Sequence, residues 1–338
     1  MKINDASKIE KFQFRDLHPN VFVGTASDRY AGWLGQIYSE DRYSAKITKR
    51  KKRVGKKDFE EEVLPVQSVQ EYFEHFGILE LDFTFYSPLI NKNGEPTKSL
   101  HVLRSYRSHL KENDRLILKV PQIVFARKIW GKTGYDLNPE YLSPDLFIDK
   151  FYQPAVDLLD PWLAGFIFEQ EYQRKQDRIT PEVLADGLAA FFEAIPKDKR
   201  YHVELRTEPF LSPPLFKVFE NFGIGQVLSH WTWLPSLSKQ FLKGGGKTTN
   251  SLKHLIVRLM TPKGMRYEEA YAKAFPFNSI VDGMISPSMI EETVDVMETA
   301  IREDSKISVI VNNRAGGNAP IIAQRIMQQF LQSRKKEN

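Results

Sequence analysis

The sequence of 338 residues contains no cysteine. Disulfide bonds, thiolate catalysis and zinc–sulfur centres are therefore excluded. No apolar run approaches the roughly 18 residues that a membrane-spanning helix needs, and the residues after Met1 contain no apolar signal-peptide core. We therefore expect a protein that is not exported and has no membrane partner, and the lack of cysteine agrees with a cytoplasmic location.

Two common ligand motifs are also missing. The seven histidines show neither HxH nor HExxH spacing, so a histidine metal centre is not predicted. The stretch 244–248 (GGGKT) resembles a phosphate-binding loop, but Phe241 stands where that motif needs its first glycine. The sequence requires no cofactor, and an oxygen-ligand site for Mg or Mn built from Glu80, Glu169 and Glu204 is a minor alternative.

The positive net charge comes from one segment. Residues 46–57 (KITKRKKRVGKK) carry eight basic side chains and no acidic one, whereas the rest of the chain has 40 basic and 43 acidic residues. We predict that this run is exposed and poorly packed, because eight like charges repel one another. Contact with nucleic-acid phosphates is the alternative interpretation of the same run.

Short apolar runs of β type alternate with longer amphipathic segments. We predict eight strands, at 20–24, 78–83, 115–120, 163–169, 200–206, 223–229, 254–260 and 306–312. We predict helices at 66–76, 99–111, 145–159, 181–194, 212–221, 265–274, 288–303 and 319–333. Regular alternation requires parallel pairing, because each helix returns the chain to the same edge of the sheet. Eight such units favour a closed TIM-type (β/α)8 barrel over a doubly wound open sheet.

No linker rich in proline, glycine or serine divides the chain, so one domain is predicted. The barrel is expected to cover residues 19–333, with residues 1–18 as an N-terminal extension and 334–338 as a tail. Residues 39–65, which contain the basic run, and residues 87–98 are predicted to be loop insertions after strands one and two.

Polar side chains stand at the carboxyl ends of seven predicted strands. They are Glu80, Asp82, Lys119, Glu169, Glu204, Arg206, His230, Arg258, Asn312 and Asn313. The carboxyl ends of barrel strands meet at one rim, where barrel enzymes carry their active sites. A charge within an apolar strand is costly to bury unless it is paired. A ligand site is therefore one hypothesis, and a layer of structural ion pairs closing the barrel is the other.

A glycine-rich segment, 312–320 (NNRAGGNAP), follows the last predicted strand. Gly316 and Gly317 permit close backbone approach, and Asn318 with Pro320 suits the start of a helix. A helix N-terminus offers free N–H groups to an anion. We therefore predict that Gly316 and Gly317 bind an anionic ligand, with a tight turn and a helix cap as the structural alternative.

The chain resembles the YecE-like family, domain of unknown function 72. The matching blocks are Gly24-Thr25, Gly32-Trp33-x-Gly35, Glu80-x-Asp82-x-Thr84-Phe85-Tyr86, Lys119-Val-Pro121, Glu204-x-Arg206 and the segment 312–320. The resemblance implies a barrel of the xylose-isomerase and endonuclease-IV shape and no established activity. Asp82 departs from the family's usual Asn, and the basic run is not a family feature. Thr25, Trp33 and Tyr86, from these blocks, join the predicted ligand-binding residues.

Two functions are compatible with these residues. In the first, an enzyme such as a hydrolase or isomerase uses Glu80, Lys119, Glu169, Glu204 and Arg206 for acid–base chemistry on a small polar or anionic substrate. A sugar phosphate or a nucleotide-like molecule fits this description. In the second, residues 46–57 bind nucleic acid while rim aromatics such as Trp33 and Trp231 stack on an unpaired base.

Overall fold

The eight predicted apolar runs are all strands in the computed structural model, which describes residues 4–131 and 134–337. In chain order the strands are β1 (Val21–Ala26), β2 (Thr48–Val54), β3 (Lys57–Val63), β4 (Ile78–Leu81), β5 (Leu116–Lys119), β6 (Lys128–Trp130), β7 (Tyr135–Leu137), β8 (Leu163–Glu169), β9 (Tyr201–Glu204), β10 (Gly225–His230), β11 (His254–Leu259) and β12 (Lys306–Val311). Eight of them form a closed barrel in the order β1-β12-β11-β10-β9-β8-β5-β4. Every neighbouring pair in the barrel is parallel. The predicted TIM-type barrel is confirmed.

Helices cover the outside of the barrel. They are α1 (Asn4–Glu10), α2 (Glu40–Tyr43), α3 (Val69–His75), α4 (Lys98–Arg107), α5 (Gln122–Phe125), α6 (Pro144–Phe147), α7 (Gln153–Leu159), α8 (Pro181–Ala194), α9 (Pro213–Phe222), α10 (Leu237–Lys243), α11 (Tyr267–Ala274), α12 (Pro287–Arg302) and α13 (Ala319–Glu337). Helix α8 begins as its sequence predicts, because Thr180 Oγ1 accepts a hydrogen bond from the Val183 N–H and Pro181 occupies the first turn. Within the described ranges, no helix has both the length and the apolar content for crossing a bilayer.

Both chain ends pack more closely than the predicted boundaries imply. The residues predicted as a tail continue α13 as far as Glu337. In the extension, Ile9 and Phe14 are buried in the main core, and Gln324 of α13 donates a hydrogen bond to the Ile9 carbonyl at 3.0 Å. The extension therefore belongs to the folded core.

The interior of the barrel is built in layers with a period of two residues. Its middle layer is aliphatic and contains Ile78, Ile117, Ile167, Val227, Ile256 and Ile310. Successive side chains of a strand point to opposite faces, so the residue two places later also points inward. That step leads to Glu80, Lys119, Glu169, Ser229, Arg258 and Asn312. The strand pattern therefore places a polar layer directly above an aliphatic one.

The basic run is not a poorly packed loop, which corrects the sequence-based prediction. Strands β2 and β3 form an antiparallel hairpin that pairs Lys49 with Glu62 and Lys51 with Glu60. The acidic residues that follow the run therefore neutralise much of its charge. On the opposite face Val54 is buried in a cluster with Tyr271 of α11. The alternation of charges and apolar residues makes the hairpin a packed element.

Candidate active site at the barrel mouth

Three carboxylates and three cations form a connected layer at the carboxyl ends of the strands. The carboxylates are Glu80, Glu169 and Glu204, and the cations are Lys119, Arg206 and Arg258. Each of the six is at least nine-tenths buried, apart from Arg206, whose side chain is 13% exposed. Adjacent strands bring them together, because Glu169 of β8 lies beside Glu204 of β9 in the sheet register. The predicted convergence of these side chains is observed.

Arg258 is at the centre of this charged layer. Its Nε and Nη2 donate to the two oxygens of Glu80 at 2.7 and 2.6 Å, a bidentate pair. Its Nη1 contacts Glu204 and lies 3.3 Å from Glu169 Oε2. One guanidinium therefore contacts all three carboxylates. Its positive charge offsets the free-energy cost of burying these carboxylates, which would be large if they were unpaired.

The other two cations complete the layer and border open space. Arg206 Nη1 lies 2.7 Å from Glu169 Oε1, and its Nε lies 3.2 Å from Glu204 Oε1. Its guanidinium also stacks over the Trp231 ring at 4.9 Å. Lys119 Nζ pairs with Glu169 and lies 3.8 Å from the centre of the Phe85 ring. Both cations are positioned to contact a ligand as well as their carboxylate partners.

Burial and neighbouring charges shift the pKa values of three groups in the charged layer. Burial raises the pKa of Glu169, but Arg206, Lys119 and Arg258 outweigh burial and lower it to about 2. The pKa of Glu204 is lowered as well, because Arg206 and Arg258 outweigh its burial. Burial lowers the pKa of Lys119 despite the opposing charge of Glu169. Glu169 and Glu204 are therefore fixed anions, and Lys119 is the group whose ammonium is destabilised.

An inner cavity of about 160 Å³ opens above this layer. Its charged lining consists of Lys52, Lys119, Arg206, Arg258 and Arg314 together with Glu80, Asp82 and Glu169. Tyr30, Phe85, Tyr86, Trp231 and Tyr267 supply aromatic walls. The five cations of the lining outnumber its three carboxylates, and two further carboxylates outside the lining, Glu61 and Glu204, pair with Lys52, Arg206 and Arg258. The cations that border the cavity can contact a small ligand that carries negative charge.

Two buried donors at this cavity have no hydrogen-bond partner among the described residues. They are Arg314 Nε and Trp231 Nε1. The Arg314 guanidinium stacks on the Tyr267 ring at 4.4 Å, which fixes its plane beside the cavity. A buried N–H without an acceptor costs free energy, and a bound anion would supply that acceptor. These two groups distinguish the cavity from a closed layer of ion pairs.

Comparison with known proteins shows which family the chain belongs to. A family model described as "Protein of unknown function DUF72" matches residues 22–338. The chain belongs to the DUF72 family. Its YecE-like resemblance is thereby confirmed, since that name denotes the same family. No functionally curated protein is detectably similar to it.

Solved structures of DUF72 proteins share the barrel. A DUF72 family protein from Thermotoga maritima MSB8 is 16% identical, with a TM-score of 0.59 over 92% of this chain and 99% of that one. A DUF72 family protein from Enterococcus faecalis V583 is 15% identical, with a TM-score of 0.53 over 92% and 95%. At such identities the likeness extends to the fold.

Four predicted ligand-binding residues of this DUF72 chain, Thr25, Trp33, His230 and Asn313, do not line the inner cavity. The Thr25 side chain is buried against α3, where its Oγ1 lies 2.9 Å from the Tyr72 hydroxyl. Trp33 is fully buried, and its Nε1 donates to Asn313 Oδ1 at 3.2 Å. His230 is buried and directed to the Thr261 carbonyl, 3.0 Å from its Nδ1. These four side chains contact neighbouring parts of the rim, and ligand binding by them stays a prediction.

The glycine-rich segment forms a tight turn and a helix cap, the structural alternative for Gly316 and Gly317, and anion binding there stays a prediction. Both N–H groups donate to the Asn313 carbonyl, at 3.2 and 2.6 Å. A Cβ atom on Gly317, whose φ is +108°, would lie 2.3 Å from the Ser279 carbonyl oxygen. Asn318 Oδ1 caps α13 by accepting from the Ile321 N–H. The donors that an anion would need are therefore already used or covered.

The remaining predicted residues differ in their access to the inner cavity. Glu80, Asp82, Tyr86, Lys119, Glu169, Arg206, Arg258 and Asn312 all line it. Glu204 does not line it, because its side chain is fully buried under Arg206 and Arg258. Its position is that of a support for those two cations.

The sequence analysis did not select Lys52 or Arg314 for this site. Arg314 stands in the glycine-rich block, two residues after Asn312, so its place after the last strand was available as a signal. Lys52 reaches the cavity only because the hairpin folds back over the barrel mouth, which no local pattern shows. Its Nζ is paired with Glu61 Oε1 at 3.1 Å.

The carboxylates of the charged layer are engaged by cations. Among the described residues, no group of three or more His, Asp or Glu side chains is arranged to hold a metal ion. The oxygens of Glu80, Glu169 and Glu204 that a divalent ion would need instead face Arg258 and its neighbours. The carboxylates therefore hold the neighbouring cations in position.

Proposed function

We propose that the inner cavity binds a small polar substrate through an anionic group, such as the phosphate of a sugar phosphate. The observation that carries this proposal is the pair of buried donors, Arg314 Nε and Trp231 Nε1, which have no hydrogen-bond partner among the described residues and belong to the lining of the cavity. A phosphate offers several acceptors and would satisfy both donors. The cavity volume, about 160 Å³, admits one such group and a short part of the molecule attached to it.

Lys119 is the best candidate for proton transfer on that substrate. Burial lowers its pKa, and a lysine is an effective acid or base when its pKa approaches the working pH. Glu169, with a pKa of about 2, is a weak base, and Glu204 is out of reach. We therefore assign Glu169 and Glu204 the task of orienting Lys119 and Arg206, and Lys119 that of moving the proton.

Ligand-induced stabilisation tests this proposal directly. Glucose 6-phosphate and inorganic phosphate should raise the melting temperature of the protein, because a ligand that binds only the folded state adds RT ln(1 + [L]/Kd) to its stability. Arg314→Met should abolish this shift, while Arg104→Met on the exposed side of α4 should keep it. Lack of any shift with phosphorylated ligands would refute the proposal.

The nucleic-acid hypothesis makes a different prediction about salt. Several phosphate contacts by the hairpin would make binding to a single strand fall steeply with ionic strength. Arg50 and Lys52, however, are paired with Glu61 at 2.7 and 3.1 Å, which reduces the charge available for such contacts. A pocket that holds one phosphate gives a shallow salt dependence, so a salt titration distinguishes the two functions.

A further inference from the structure

A second, outer cavity of about 450 Å³ adjoins the inner one. The two cavities share Glu169, Arg206 and Trp231 as lining residues. The outer cavity extends from them toward the β6–β7 hairpin and the loop after β8, which contribute Tyr135 and Tyr172. The two cavities are therefore neighbours, separated by no more than these three side chains.

The exposed aromatic side chains of the described chain are concentrated at these cavities. Tyr135 and Tyr172 line the outer cavity and are 68% and 43% exposed. Trp130, 74% exposed, lies against Tyr135 at 5.1 Å, and Trp233 stacks on Tyr172 at 5.3 Å. Tyr86, the remaining exposed aromatic residue, lines the inner cavity. Solvent-exposed rings gathered at one opening indicate a surface that stacks on a ligand.

The wall of the outer cavity also holds a polar atom that has no partner among the described residues. Glu171 Oε2 is buried and accepts no hydrogen bond from them, whereas Oε1 accepts from the Arg127 N–H at 3.1 Å. Burial raises the pKa of Glu171, which makes its carboxyl group readier to share or accept a proton. An acceptor for a ligand hydroxyl is thus available in this wall.

We propose that the outer cavity is a carbohydrate subsite, which holds the second sugar ring of a substrate whose first ring carries the anionic group bound in the inner cavity. A sugar ring presents C–H faces that pack on aromatic side chains, and hydroxyl groups that both donate and accept hydrogen bonds. Tyr172, backed by Trp233, supplies the stacking face, and Glu171 Oε2 accepts from a hydroxyl. This inference rests on the proposed function for the anionic end of the substrate, and it adds that the substrate has more than one ring.

Binding of four ligands by calorimetry tests the subsite: glucose 6-phosphate, trehalose 6-phosphate, the neutral disaccharide cellobiose and adenosine monophosphate. The second ring should make trehalose 6-phosphate bind about tenfold more tightly than glucose 6-phosphate. Tyr172→Ala and Glu171→Gln should each remove most of that advantage and leave the affinity for glucose 6-phosphate unchanged. Leu242→Ala, which truncates a 70% exposed side chain on α10, is the matched control.

The outcomes separate the subsite from the proposed function. Equal affinity for the two phosphates, insensitive to Tyr172→Ala, would overturn the subsite and leave the anion site standing. Cellobiose binding that is lost in Tyr172→Ala, without binding of either phosphate, would support the subsite and overturn the anion site. Adenosine monophosphate binding more tightly than trehalose 6-phosphate, in a Tyr172-dependent way, would show that the outer cavity holds a nucleobase and would overturn the carbohydrate assignment.

Discussion

Arg258 is the side chain on which the charged layer at the barrel mouth depends, because it contacts all three carboxylates. Arg258→Met keeps much of the side-chain volume and leaves Glu80, Glu169 and Glu204 without their shared partner. We expect a loss of about 3–5 kcal/mol in the free energy of unfolding, the range for removing one partner of a buried ion pair. Urea denaturation measures it, with Arg104→Met as the exposed control. A loss below about 1 kcal/mol would show that the layer rearranges around the change.

Asp28 is a buried carboxyl group outside the site. It is 1% exposed, its Oδ1 accepts from the Tyr106 hydroxyl at 2.6 Å, and its Oδ2 has no partner among the described residues. Burial raises the pKa of Asp28 from 3.8 to about 6, although the Tyr106 hydrogen bond opposes the shift. The charged form is thus the unfavourable one in the folded protein.

The raised pKa of Asp28 gives a stability change with a definite sign. Its contribution is fully present below about pH 4 and is lost as pH rises through about 6, because the folded protein then holds a proton that the unfolded chain has released. Asp28→Asn should gain about 3 kcal/mol relative to the wild type between about pH 4 and 7, at 1.36 kcal/mol per unit. Urea unfolding at both pH values measures this, and Asp186→Asn on α8 is the control. A pH-independent difference would show that Asp28 titrates normally.

At the residue scale, the sequence predicted the charged layer and missed the outer cavity for a physical reason. Glu80, Lys119 and Arg258 end strands in which alternation fixes the direction of each side chain. Thr25 and Trp33 were assigned to the site from motif blocks, which do not show direction. Glu171 lies two residues after Glu169, but β8 has ended there, and the following loop sets its direction through tertiary contacts.

At the scale of elements, the β2–β3 hairpin shows where charge patterning was misread. The basic run was considered alone, whereas Asp58 and Glu60–Glu62 directly follow it and face it across a two-residue turn at Gly55 and Lys56. Basic residues followed by acidic ones in mirrored order are a signal for a charge-paired hairpin. The helices and barrel strands were predictable because their apolar periods are long and regular.

The hairpin is expected to contribute to stability through its inner face. Phe59 packs on Tyr271 at 4.9 Å, and the Tyr271 hydroxyl donates to Glu61 at 2.5 Å. Replacing residues 48–63 by a short glycine–serine linker should therefore lower the melting temperature by several degrees, because the apolar contacts of Val54 and Phe59 are removed. If the segment were an unpacked loop, the same replacement would leave the melting temperature nearly unchanged.

An outer-face variant is the control for that deletion. Changing Lys49, Lys51 and Arg53 together to Gln removes charge from exposed cross-strand pairs, which contribute little each. We expect the melting temperature to stay within about two degrees of the wild type. An equal loss in both variants would show that the exposed charges, and not the buried face, hold the hairpin in place.

At the scale of the whole molecule, eight strand–helix units made the closed barrel predictable, because few topologies accommodate that alternation. What the sequence could not show is how much of the polar content becomes buried. Five histidines illustrate this point, since burial is the largest cause that lowers the pKa of His18, His75, His202, His230 and His254. Local patterns do not reveal that these side chains share the interior or its edges.

These histidines should govern the pH dependence of stability between about pH 6.5 and 5. Because their folded pKa values lie below 6.5, the unfolded chain takes up protons that the folded protein does not, and stability falls as pH decreases from about 6.5. Each group contributes up to about 1.4 kcal/mol per pH unit, and the two buried carboxyl groups with raised pKa values, Asp28 and Glu171, oppose them. Below about pH 4.5 the lowered pKa values of Glu169 and Glu204 add a second loss in the same direction.

Urea unfolding from about pH 8 to 4 should therefore show stability falling in two stages. His254→Gln should reduce the first slope, since the His254 ring is buried, burial is the largest cause that lowers its pKa, and its Nε2 lies 2.8 Å from Ser308 Oγ. The exposed His101→Gln is its matched control. Stability that stays constant or rises from about pH 6.5 to 5 would show that the buried histidines are protonated in the folded protein.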